Sequence, residues 1–133
     1  MSGGPAGPTV WLIDPRAHVP EYDRSLGAAL ERLGCRVRLC VGPSWPDSTG
    51  GRTVPGRERR DGAAGVGRGA AALRYPLDLL RLVGRARRER PDVVHWQWSV
   101  EPPLDALAMR ALRRTGAATV LTLHNVLPHE ARL

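Results

Sequence analysis

Apolar residues in this chain fall into four short runs, separated by segments in which they recur every three or four positions. Residues 9–13 (Thr9, Val10, Trp11, Leu12, Ile13) are almost continuously apolar and close on Asp14 and Pro15, the pattern of a strand buried on both faces in a parallel sheet. Tyr22, Leu26, Ala29, Leu30 and Leu33 then recur at helical spacing, predicting a first helix that begins near Glu21 and ends at Gly34. Val37, Leu39 and Val41 alternate with Arg36, Arg38 and Cys40, which predicts a second strand with one wet face, towards a sheet edge.

Residues 42–69 are dense in Gly, Pro, Ser and Arg without periodicity and predict a long flexible basic loop, with a candidate short strand near Arg52, Thr53 and Val54. From about 70 to 90, Leu73, Leu77, Leu80, Val83 and Ala86 form a helical stripe, with Arg74, Arg81, Arg85 and Arg88 on another face. Pro76 is expected to start or kink this helix, and Pro91 to end it. A third strand over 92–98, a helix from Pro102 and Pro103 to Gly116 and a fourth strand over 118–124 complete the pattern. Strand alternating with helix in this way specifies an α/β, Rossmann-like fold, with a mainly parallel open sheet, right-handed crossovers and helices on both faces. Residues 1–8 are expected to be disordered, and 9–133 to form a single, incomplete domain.

Composition changes this picture in one respect. The formal net charge is +7, and residues 52–90 carry all of it, with eleven arginines against four acids. Every one of the 20 basic residues is Arg, alongside abundant Ala, Gly and Pro, which reads as a coding bias and lowers the weight of charge as a functional signal. A local basic segment on a balanced domain argues against a uniformly basic nucleic-acid binder, and only Tyr75 is interleaved with those arginines as a stacking group, so a basic nucleic-acid-binding protein stays as the weaker alternative. The helix face bearing Arg74, Arg81, Arg85 and Arg88 is either a solvated surface or a peripheral contact with an anionic membrane.

Cys35 and Cys40 lie five residues apart along a strand-like run, on opposite faces and ~16 Å apart at about 3.3 Å per residue, too far for a disulfide. Both are expected to be small core residues, and no spacing suggests a metal site. The N-terminus lacks a basic segment followed by an apolar one, and no apolar run spans a bilayer, so a cytoplasmic protein is expected.

Ligands of open parallel sheets bind at the carboxyl ends of the strands, here 14–22, 95–99 and 124–130. Gln97, Asn125 and Glu130 are suited to hydrogen-bonding sugar hydroxyls, and Trp98 or Tyr22 to covering an apolar ring face. The turn after strand one has no glycine, and the run Gly65, Gly67, Gly69 follows no recognisable strand, so a dinucleotide fingerprint is not supported. A Walker motif and a serine nucleophile elbow are also absent. His95, mid-strand, reads as a hydrogen-bonded core histidine, Trp11 as core, and of Trp96 and Trp98 one as core and one as rim.

The run from Val120 to Leu123 followed by His124, Asn125, Val126, Leu127, Pro128, His129 and Glu130, preceded by residues 91–98 and a helix, resembles the N-terminal half of bacterial family-four retaining glycosyltransferases of GT-B architecture. Leu12 to Pro15 and Tyr22 to Leu26 resemble the same group. The resemblance implies an acceptor-side domain of an enzyme that moves a sugar from a nucleotide-sugar co-substrate to a hydroxyl on a glycan, lipid or small molecule. It implies no cofactor and no metal.

His124 matches the family's strand-end histidine near the transferred sugar, the candidate catalytic residue, where imidazole can accept from a hydroxyl or, protonated, stabilise developing charge. Tyr22, Gln97, Trp98, Asn125 and Glu130 are candidate acceptor contacts. Two departures follow from the same comparison: the glycine-rich loop after strand one is missing, and the donor-binding acidic pair belongs to a C-terminal domain outside these residues. The expectation is therefore a truncated domain, inactive alone. The competing reading is a non-catalytic interaction module or a partner that completes its sheet with another polypeptide.

Overall fold

A computed structural model describes residues 6–41 and 68–124, with the side chains of 68–71 left aside. The expected short strand near Arg52 lies outside the described residues, as do Asn125 and Glu130. Seven elements follow in the order strand β1 (Thr9–Asp14), helix α1 (Pro20–Arg32), β2 (Arg36–Val41), α2 (Arg68–Glu89), β3 (Val93–Trp96), α3 (Pro102–Arg113) and β4 (Ala118–Leu121). The four strands form one parallel sheet in the order β2-β1-β3-β4.

The chain steps from β1 to β2 in one direction and then returns across β1 to reach β3 and β4 on the other side. Crossovers of one hand must change face when the direction reverses. The helices obey this: α1 covers one face of the sheet, α2 and α3 the other. On the first face Gly27 of α1 sits over Leu12, Val37 and Leu39, where a Cβ would already be in van der Waals contact at 3.4–3.7 Å. On the second, Trp11, Ile13, Val94 and Trp96 of the sheet pack with Leu79, Leu82, Val83 and Ala86 of α2 and Ala108 and Leu112 of α3. β1, paired on both edges, is buried from Val10 to Asp14, as its continuous apolar run requires.

Both Gly34 (φ +91) and Gly116 (φ +96) take the left-handed conformation that ends α1 and follows α3. α1 begins at Pro20, the first helical position, where a missing N–H carries no penalty.

β2 lies at the sheet edge as expected, and its arginine face is wet only at Arg36. Cys40 is buried in the core, and Arg38 stacks its guanidinium over Trp11, 5.1 Å from the ring centroid, while pairing with Glu89 at 2.6 Å. The last turns of α2 cover that face. Of the two cysteines only Cys40 belongs to the core, Cys35 being half-buried.

α2 departs furthest from its expected orientation. Of the expected stripe Val83 and Ala86 enter the core, whereas Leu73, Leu77 and Leu80 are 63%, 51% and 68% exposed and Leu79 and Leu82 take their place. Arg85 is largely buried and reaches Glu89, so it does not share a solvent face with Arg74, Arg81 and Arg88. Pro76 sits inside the helix, which opens eight residues earlier at Arg68.

Candidate functional site

The strand order reverses between β1 and β3, so the loops leaving their carboxyl ends turn to opposite faces of the sheet, and the crevice between such loops is the usual ligand position in open parallel sheets. β1 delivers Asp14 there, fully buried. The turn that follows closes with Ala17 N–H donating to the Asp14 carbonyl at 3.2 Å, and Ala17 adopts φ +49, a left-handed conformation unusual for alanine. That turn brings the next residue back over β1. The His18 backbone N–H donates to Asp14 Oδ2 at 2.7 Å, and its Nδ1 lies 3.4 Å from Oδ1.

From β3, the ladder continues one residue past the strand as Gln97 N–H donates to the Ile13 carbonyl at 2.8 Å. This places Gln97 fully buried beside the end of β1 and brings Trp98 to the rim. Trp98 is sandwiched. His18 stacks on it at 5.0 Å between ring centroids, and His124 at 3.9 Å with ring planes 6° apart. Tyr22, exposed on the first turn of α1, meets the His124 ring edge-on at 5.5 Å. Four rings from β1, α1, β3 and β4 loops thus form one continuous assembly across the crevice.

Beneath it, Asp23 of α1 is almost fully buried near Asp14. Burial, a side-chain hydrogen bond with Asp14 and the Asp14 charge together push the Asp23 carboxyl up to about 7. His95, one turn of the ladder below, bonds to Thr122 through Nε2 and Oγ1 at 2.6 Å, and burial, then the His124 charge, push its pKa down.

Several polar atoms there are buried without a hydrogen-bond partner among the described residues: both polar atoms of the Gln97 amide, Trp98 Nε1 and His124 Nε2. Buried polar groups are nearly always satisfied. All of these atoms belong to the residues that follow β3 and β4.

Of the residues expected from the sequence, Tyr22, Gln97, Trp98 and His124 come together here. Both faces of Trp98 are covered by imidazoles, so it offers its edge and Nε1 rather than a face, and Tyr22 is the ring left open to solvent. Asp14, His18 and Asp23 were not singled out. A carboxylate closing a buried strand with histidine four residues on was the available signal for the first two, whereas Asp23 looked like an ordinary first-turn acid favouring the helix dipole.

A second buried carboxylate organises the β3–α3 loop. Asp105 Oδ2 accepts from Ser99 Oγ at 2.7 Å, Val100 N–H at 2.8 Å and Glu101 N–H at 3.1 Å, and Oδ1 accepts from the Tyr75 hydroxyl. Burial and this bond raise the Tyr75 pKa.

A family model described as Glycosyltransferase Family 4 matches residues 22–133. Neither the curated proteins nor the solved structures gave a match.

Proposed function

Because the chain belongs to glycosyltransferase family 4, we propose that it is the acceptor-side domain of a sugar transferase, receiving a hydroxyl-bearing acceptor in the crevice between β1 and β3. In this reading His124 contacts the transferred sugar, and Tyr22, Gln97 and Trp98, with Asn125 and Glu130 beyond the described residues, hold the acceptor. The observation that carries it is the set of unpartnered buried groups at one switch point. A sugar presents donors and acceptors a few ångströms apart, as the Gln97 amide, Trp98 Nε1 and His124 Nε2 require.

Asp14 acts through His18, whose ring it turns onto Trp98, and so fixes the plane on which His124 rests. Transfer also requires a donor-binding domain to stabilise the departing diphosphate, so these 133 residues alone are expected to bind acceptor and turn over no nucleotide sugar. The test is titration of the chain with a panel of mono- and disaccharides followed by heteronuclear NMR. Shifts should converge on Tyr22, Gln97, Trp98 and His124 and disappear in Gln97→Ala. Shifts elsewhere, or none across the panel, would overturn the assignment.

A sheet-completing role has one observation in its favour: β4 is the last strand of the described sheet, with Val120 and Leu121 exposed. Sizing chromatography that shows a monomer at high concentration would exclude self-association through that edge.

A further inference from the structure

α2 carries two apolar faces, and only one is used by the fold. Leu79, Leu82, Val83 and Ala86 enter the core, while Leu73, Leu77 and Leu80 point outwards, more than half exposed. At about 100° per residue these three leucines and Gly84 lie within an arc of roughly 60° on the side opposite the core. Arg87 borders the strip on one side, and Arg88, Arg81 and Arg74 on the other.

Arg74, Arg87 and Arg88 are exposed and make no ion pair among the described residues, and Arg81, 64% exposed, touches only Asp78 at 3.2 Å. No acid falls within the arc. Asp78 is buried about 100° round the helix from Leu77, and Glu89 is turned to Arg38 and Arg85. From Leu73 to Arg88 the strip runs ~22 Å at 1.5 Å per residue. No helix among the described residues is long and apolar enough to cross a membrane.

We propose that this face of α2 lies flat on an anionic lipid surface, with the leucines entering the boundary between headgroups and acyl chains and the guanidiniums engaging lipid phosphates. An apolar strip bordered by arginines is the pattern of a helix lying in the interface plane, and the planar guanidinium suits phosphate. A second copy of this chain is a poor occupant, since the same face brought against itself would oppose arginine to arginine. The Leu73 end of α2 lies beside the β3–α3 loop, where Tyr75 reaches Asp105. The inference does not depend on what that crevice binds.

Flotation of the full chain with vesicles of neutral phosphatidylcholine, and with vesicles carrying about 30 mol% phosphatidylglycerol, tests it. We expect recovery with the anionic vesicles at least roughly 10-fold above the neutral ones, falling as salt screens the arginines. Leu77→Glu should abolish recovery, and the pair Arg74→Gln with Arg88→Gln should reduce it severalfold. Both changes lie on the solvent side, and circular dichroism melting checks that the variants fold. Equal recovery at both compositions overturns the proposal. So does recovery with neither, the result expected if the face serves an acidic protein instead, and so does binding that survives both variants, which would place it on other arginines.

Discussion

The imidazole of His124 lies flat on the indole of Trp98, ring centroids 3.9 Å apart and planes within 6°. The indole's opposite face carries His18, so one tryptophan sets the position of two imidazoles that belong to loops more than a hundred residues apart in sequence. A stacked pair of this kind contributes ~0.5–1.5 kcal/mol beyond its buried area. A double-mutant cycle of Trp98→Ala and His124→Ala, read by urea unfolding, should return a coupling energy in that range. Additive effects would show that the rings do not support one another.

Asp23 gives the fold a pH dependence of unusual sign for a carboxylate. Its pKa is raised in the folded chain to about 7 from 3.8, so between those values the folded state holds a proton that the unfolded state has released. Stability from this group is therefore highest in acid and falls as pH rises through the window, by an amount on the order of a few kcal/mol. His95 works the other way: its lowered pKa makes stability fall as pH drops below 6.5. Asp23→Asn should flatten the first slope and leave the second, as measured by denaturant midpoints from pH 4 to 8.

Asp105 holds a hydroxyl from α2, a serine hydroxyl and two backbone N–H groups that would otherwise be orphaned at the start of α3. Asp105→Ala should cost about 3 kcal/mol or more, because it leaves several buried donors unpaired. Tyr75→Phe removes one bond and should cost about 1 kcal/mol. If thermal unfolding ranks the two variants equally, the loop is not organised around this carboxylate.

Arg90 closes α2 at φ +50 without being glycine. Its backbone N–H still donates to the Ala86 carbonyl at 2.9 Å, so the conformation is needed and the side chain is not. Arg90→Gly should stabilise the protein by roughly 0.5–1 kcal/mol, an increase of a few degrees in Tm by calorimetry. Gly34→Ala, at φ +91, should do the reverse.

The strands, their order of burial and the parallel class were legible in the sequence because each signal is local. β1 is apolar at every position and proved to be internal, and Gly34 and Gly116 stood where helices must end. The buried face of α2 differs from the expected stripe for a physical reason. Leu73, Leu77 and Leu80 and, equally, Leu79, Leu82 and Ala86 recur at three- and four-residue steps, so a helix apolar on two sides satisfies two registers at once, and only the sheet beneath it selects one.

The crevice was legible as a region but not as a set of partners. Tyr22, Gln97, Trp98 and His124 occupy the strand ends where such sites form, whereas the pairing of Asp14 with Asp23 arises from the way α1 folds back over β1. A carboxylate in the first turn of a helix has a sufficient local explanation. Nothing in the spacing distinguishes one that is buried against another acid.

The central position of β1 also constrains how the protein is made. Its edge away from β2 is filled by β3, and Thr9 N–H donates to Asp92 Oδ2 across 83 residues of chain. On a ribosome adding about 5–20 residues each second, the first strand emerges roughly 4–17 s before that partner. In the interval Val10 to Ile13, the most buried stretch of the finished sheet, can pair on one side only. The same arrangement that opens a ligand crevice beside β1 leaves a nascent chain with an apolar strand edge to shelter, a task for chaperones during synthesis.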